Sequence, residues 1–242
     1  MGTRSTKSMP PDATPTIAVI VPTFNERGNP GPLVEQVTAA LGTAPFRLVF
    51  ADDSTDGTTR EIDTLARSNP TVGLNHSPSR RGLARAVVEV LDHVTESVVV
   101  VMDGDLQHPP SVVPGLIAGV EAGADVVVAS RYVRGGRELG LRGPWRRLVS
   151  RESSRVARIV LPPARRTTDP LSGFFAFRRS ILVGTTLQPI GFKILLEVLV
   201  RGRVRRVVDV PYTFDRRARA ASKASALEGV RFLRHLLRLR AT

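Results

Sequence analysis

Hydrophobic residues along this chain come as short runs rich in valine and isoleucine. Between the runs they recur at every third or fourth position. The runs at 17–21, 46–51, 71–74, 97–102 and 124–129 predict strands. The intervening segments 33–41, 54–67, 82–94 and 114–122 predict helices, with Leu83, Val87, Val90, Leu91 and Val94 as one apolar face. Strand and helix in strict alternation point to parallel strands joined by crossover helices, an α/β, Rossmann-like domain. Beyond residue 130 the pattern is less regular. An arginine-rich helix is expected at 145–161, then a turn at 169–175 that enters a short strand. A helix at 191–201, a strand at 204–210 and a last helix at 222–240 follow. No linker and no internal repeat interrupts residues 17–242, so one domain is expected, with halves of about 17–130 and 131–242. Residues 1–16 are polar, contain three prolines and read as a disordered lead-in.

Composition changes the picture in one respect, charge. The 242 residues carry a net charge of +13. Residues 131–166 hold eleven arginines against two glutamates, and residues 201–240 hold twelve basic residues against three acids. The rest of the chain is therefore net acidic. A basic second half calls for an anionic partner: a phosphorylated substrate, an anionic membrane or nucleic acid. Nucleic acid is set aside, because one Trp and two Tyr provide no stacking set and no binding module is evident. The absence of cysteine removes disulfides, thiolate metal sites and thiol nucleophiles. No run reaches the roughly 18 apolar residues of a membrane span, so a soluble or peripheral chain is expected.

The chemistry concentrates where predicted strands end. The valine run at 98–101 leads through Met102 into Asp103-Gly104-Asp105-Leu106-Gln107. Two carboxylates one residue apart, with glycine between them, can reach one hard cation. Mg²⁺ and Mn²⁺ favour such oxygen ligands and share them with substrate phosphates. Residues 22–26 (Pro-Thr-Phe-Asn-Glu) and Asp52-Asp53 follow two other strands. Parallel sheets bind ligands at the carboxyl ends of their strands, so three polar clusters are expected on one rim.

These motifs, together with Ser130-Arg131-Tyr132, 169–174 (Asp-Pro-Leu-Ser-Gly-Phe), 191–197 (Gly-Phe-Lys-Ile-Leu-Leu-Glu) and Arg217 followed by Ser222-Lys223, resemble family 2 glycosyltransferases of the GT-A fold. Within that family the chain is similar to the dolichol- and polyprenyl-phosphate mannosyl- and glucosyltransferases. The resemblance implies an inverting transfer of sugar from a nucleotide sugar of GDP-mannose or UDP-glucose type to polyprenyl phosphate. Pro22, Phe24, Glu26, Asp52 and Asp53 would hold the donor nucleoside. Asp103, Asp105 and Gln107 would meet Mg²⁺ or Mn²⁺ and the diphosphate. Arg131, Arg147, Arg217, Ser222 and Lys223 would hold the acceptor phosphate, with Arg131 and Arg217 also serving the chemical step. The chain departs from the family pattern at Ala84 and Ala220, where relatives often carry glycine. The alternative within the family is a hydroxyl acceptor, which needs a general base; Asp169 is the residue for that role. A lipid acceptor implies a cytoplasmic protein at the inner face of a membrane. Its own last helix, with Val230, Leu233, Leu236 and Leu237 beside Arg231, Arg234 and Arg238, would bind an anionic surface, or a separate membrane protein would recruit it.

Overall fold

A computed structural model describes residues 17–77, 79, 82–140, 143–191, 193–215 and 226–241. Seven strands form one sheet: β1 (Ile17–Thr23), β2 (Phe46–Asp52), β3 (Val72–His76), β4 (Val98–Val101), β5 (Val126–Ser130), β6 (Phe175–Arg178) and β7 (Val207–Pro211). Their order is β3-β2-β1-β4-β6-β5-β7. Every neighbouring pair is parallel except those made by β6, which runs antiparallel to both β4 and β5. The helices are α1 (Pro30–Leu41), α2 (Thr58–Ser68), α3 (Leu83–Leu91), α4 (Val113–Glu121), α5 (Pro144–Val160), α6 (Ile194–Arg201) and α7 (Ala226–Arg240).

The five inner strands of the sheet are buried on both faces, and this explains their apolar runs, whereas the edge strands β3 and β7 are only partly covered. In β1 the residues alternate between two cores. Ile17, Val19 and Val21 meet α1 and α4, whereas Ala18 and Ile20 meet α3 and α6. A third, smaller core joins α5, α6 and α7 through Ala157, Leu161, Leu196, Leu236 and Leu239.

Local chemistry moves some element ends from their expected places. Helix α1 starts at Pro30, three residues early, because proline lacks the N–H that a first helical turn leaves unpaired. Helix α2 starts at Thr58 and not at Ser54, because residues 54–57 are held as a loop. Ser54 Oγ donates to Asp52 Oδ1 at 2.5 Å, and the Thr58 N–H donates to Asp56 Oδ1 at 2.9 Å.

Candidate active site

Strand direction decides which residues can meet. β1, β2, β3, β4, β5 and β7 all point the same way, so Thr23, Asp52, His76, Asp103, Arg131 and Tyr212 lie at or just past one rim. Because β6 is reversed, it brings its entry, residues 169–174, to that same rim. The sheet thus collects the motifs of both halves of the chain along one edge.

On the donor side, Pro22 lies one residue before the end of β1, in register with Ala51. Phe24 is half-buried beyond it. Asn25 sits at φ 56°, an uncommon conformation for a residue with a side chain. Its N–H donates to Ser54 Oγ (2.8 Å) and its Oδ1 accepts from the Thr55 N–H (2.9 Å), which holds it there. Glu26 is nearly buried. Its N–H donates to Thr58 Oγ1 (3.0 Å), and its Oε2 accepts from Asn29 Nδ2 (2.9 Å). Asp52 is fully buried and serves as a hub: Thr23 Oγ1 (2.8 Å) and Ser54 Oγ reach Oδ1, while Thr59 Oγ1 (2.7 Å) and His76 Nδ1 (3.0 Å) reach Oδ2. Its carboxylate ties three strands and α2 together. Asp53 donates its N–H to the Thr23 carbonyl (3.0 Å) and accepts from the Gly82 N–H (2.7 Å). Thr59 and His76 carry no motif of their own, and the sequence offered no signal for them.

The two carboxylates of the acidic motif differ. The Asp103 side chain is 46% exposed, whereas Asp105 is 5% exposed. Asp105 Oδ1 accepts from the Gln107 N–H (3.0 Å). Between them Leu106 is held at φ 62°, a second uncommon backbone placed at the centre of the motif. Gln107 Nε2 donates to the Asp215 carbonyl (2.7 Å), which leaves its Oε1 as the atom able to face a cation. The space over Asp103 is kept open by Gly173, where a Cβ would lie 2.8 Å from Oδ2 and 2.9 Å from Oδ1. Among the described residues no group of three or more His, Cys, Asp or Glu forms a protein-only metal cage. A cation that shares its shell with a diphosphate needs only one or two carboxylates, and Asp103 and Asp105 fit that requirement.

Behind the motif lies an aromatic cluster that the sequence did not reveal. His108 stacks on Phe174 (5.1 Å, 17°), and Tyr212 and Phe214 pack around it at 5.7 and 5.6 Å. Burial lowers the His108 pKa, against the pull of the nearby Asp103 and Asp105 carboxylates. Burial raises that of the Tyr212 hydroxyl.

Arg131 and Asp169 form a buried two-point ion pair. Arg131 Nε donates to Oδ2 (2.7 Å) and Nη2 to Oδ1 (2.8 Å); the Arg131 N–H also points at Oδ2 (3.3 Å). Burial opposes the Arg131 charge, but the Asp169 bonds outweigh it and keep the guanidinium protonated. Two of the three Arg131 nitrogens are thus spent inside the protein, leaving Nη1 to spare. Asp169 is fully buried with both oxygens engaged, so it is not placed to deprotonate an acceptor hydroxyl. The chain on either side of it is fixed as well: before it, Asp209 accepts from Thr167 Oγ1 (2.6 Å) and Thr168 Oγ1 (2.6 Å), and after it, Lys193 Nζ donates to the Leu171 carbonyl (3.0 Å).

Arg147 is exposed in the first turn of α5. Arg217, Ser222 and Lys223 lie outside the described residues, as do residues 1–16. The last helix divides its apolar residues in a way its sequence did not suggest. Leu236 packs inward, whereas Val230, Leu233 and Leu237 are exposed. Helix α5 carries a matching exposed row, Trp145, Leu148, Val149, Val156 and Ile159. That row was legible as spacings of three, four and seven.

Comparison with known proteins identifies the family. Residues 18–184 match the model of Glycosyl transferase family 2. The chain is 41% identical to a dolichol-phosphate mannosyltransferase of Pyrococcus furiosus, over 92% of this chain and 63% of that protein's length. It is 32% identical to the dolichol-phosphate mannosyltransferase of Saccharomyces cerevisiae, covering 92% of this chain and 86% of that one. A polyprenol monophosphomannose synthase of Mycolicibacterium smegmatis is 36% identical, covering 86% and 80%. Among solved structures, a Mycobacterium tuberculosis glucosyl-3-phosphoglycerate synthase in complex with Mn²⁺, UDP-glucose and glycerol 3-phosphate superposes with a TM-score of 0.66. It is 22% identical and is covered to 78%, against 93% of this chain. The chain belongs to Glycosyl transferase family 2.

Proposed function

We propose that this protein transfers a sugar from a nucleotide sugar to polyprenyl phosphate, in the first instance mannose from GDP-mannose, otherwise glucose from UDP-glucose. The observation that carries the reading is the convergence of residues 22–26, Asp53, Asp103 and Asp105 on one sheet rim, beside the entry to β6. The named activities of the relatives supply the sugar and the lipid.

Each half of the rim has a separate task. Glu26 and Asp53, set by the loop that Asp52 organises, would orient the nucleoside together with Pro22 and Phe24. Asp103, Asp105 and Gln107 would hold a divalent cation, Mg²⁺ or Mn²⁺. When bound, such an ion offsets the charge that builds on the departing diphosphate. Arg217, Ser222, Lys223 and Arg147 would grip the acceptor phosphate, with Arg131 contributing its remaining nitrogen. Arginine suits that work because its fork matches phosphate oxygens. A phosphate acceptor is already ionised and needs no general base. The engagement of both Asp169 oxygens by Arg131 therefore favours phosphate over a hydroxyl acceptor.

The outward rows on α5 and α7 support docking at an anionic membrane. Exposed apolar residues on two packed helices, flanked by arginines, suit a lipid interface. Among the described residues no helix is long and apolar enough to cross a membrane.

The test supplies radiolabelled GDP-mannose or UDP-glucose, Mn²⁺ or Mg²⁺, and either polyprenyl phosphate or a soluble glycan. The expected result is label in the organic phase with the lipid phosphate only, abolished by chelator and by Asp105→Ala. Label on the glycan alone would replace the reading with the hydroxyl-acceptor one.

A further inference from the structure

The Asp103 carboxylate is the most exposed charged group of the acidic motif, yet it begins where the sheet stops supporting the chain. Met102 still donates its N–H to Ile20 across the β1–β4 ladder (3.1 Å). The next N–H, that of Asp103, donates instead to Nδ1 of His108 (3.0 Å). An N–H can donate only to a nitrogen that carries no proton. The neutral ring therefore has its proton on Nε2, and Nε2 lies 3.8 Å from Asp103 Oδ2. The ring cannot easily turn away, because it is 2% exposed and stacked on Phe174. Gly173 also lies against this carboxylate and leaves no side chain to displace it.

We propose that His108 is the positioning residue of the metal site: Nδ1 fixes the Asp103 backbone where it leaves β4, and the Nε2–H steers the Asp103 carboxylate toward the cation. The proposal rests on the reading that Asp103 meets a divalent metal. It assigns a task to a residue that contacts neither substrate nor ion. Groups that orient metal ligands in this way are commonly worth 10–100-fold in metal affinity.

Two variants separate its two nitrogens. His108→Asn can keep an acceptor near the Nδ1 position and loses the Nε2–H. His108→Phe loses both while keeping a ring against Phe174. Mn²⁺ affinity is read by electron paramagnetic resonance titration with saturating GDP, and in parallel with UDP. Affinity for the nucleotide without metal is read separately. His108→Phe should weaken Mn²⁺ binding by roughly 10–100-fold and His108→Asn by less, with metal-free nucleotide affinity unchanged. Unchanged Mn²⁺ affinity in folded His108→Phe overturns the proposal, and so does an equal loss of metal-free nucleotide binding. Where His108→Phe does not melt cooperatively, the Asn variant decides in the same way. Nitrogen NMR of the metal-free wild type gives an independent judgement: Nδ1 should be unprotonated, and an Nδ1–H ring overturns the proposal. If the wild type binds no Mn²⁺ at all, the metal reading fails, while the NMR result still decides the ring's role toward the Asp103 backbone.

Discussion

At the scale of single residues, what the sequence conveyed was position, and what it withheld was partnership. Asp52, Asp103 and Asp169 could each be placed near a strand end or turn by reading the apolar runs. Their partners could not be read: Asp52 is engaged by Thr23 and His76, and Asp169 by Arg131, all far away in the chain. Burial then separates roles that carboxylates in a sequence leave equal. The Asp103 side chain is half-exposed on the rim, whereas Asp169 is sealed against a guanidinium. The difference is testable through Asp169→Asn. Removing one partner of a buried ion pair leaves the other charge uncompensated and costs about 3–5 kcal/mol. Denaturant unfolding should show a loss of that order, and activity should fall along its whole pH profile without a change in the profile's shape. A variant of native stability that has lost only the limb set by one ionising base would restore Asp169 to the role of general base.

At the scale of elements, the α/β alternation was legible because each crossover unit writes its own local period. Strand direction was not, since an apolar run reads alike in both directions. The antiparallel β6 is therefore visible only in the structure, and it is β6 that brings residues 169–174 to the rim. The tie between α6 and α7 was similarly hidden. Glu197, within a motif noted in the sequence, is fully buried; its Oε1 meets His235 Nε2 (2.8 Å) and its Oε2 meets Arg201 Nε (2.9 Å) and the Gln188 N–H (2.9 Å). Burial alone would raise the Glu197 pKa, but the His235 and Gln188 hydrogen bonds and the nearby charges outweigh it and lower it. A carboxyl held below its unfolded value stabilises the fold above the ordinary glutamate value of 4.5, and that stability is lost as pH falls through the lower folded value. Glu197→Gln should therefore cost roughly 1.5–3 kcal/mol at neutral pH, as for hydrogen bonds to charged groups. Below the ordinary carboxyl range the gap to wild type should narrow. Urea unfolding of both proteins across pH 3–7 measures this, and a constant gap at every pH would show that the Glu197 charge contributes nothing.

At the scale of the whole molecule, the rim and the outward faces of α5 and α7 pose one physical problem. The proposed acceptor, a polyprenyl phosphate, keeps its headgroup at a bilayer surface, so the proposed reaction requires the rim to be brought there. Charge attracts the protein from a distance: each basic residue near an anionic surface contributes about 1 kcal/mol, felt over about 8 Å at physiological ionic strength. Apolar contact acts only on arrival, and salt does not screen it. Trp145 and Ile159 are each 72% exposed at opposite ends of α5, and Leu237 is 66% exposed on α7. These are side chains that water solvates poorly and a headgroup layer would accept. The two contributions can be separated. Co-sedimentation with anionic vesicles should weaken with added salt yet persist above that with neutral vesicles. Ile159→Asp combined with Leu237→Asp should reduce binding at least about tenfold at every salt concentration, since burying each such side chain is worth roughly 1.5–3 kcal/mol. If the double variant sediments like the wild type, these rows do not touch lipid. Covering them would then fall to a separate membrane protein.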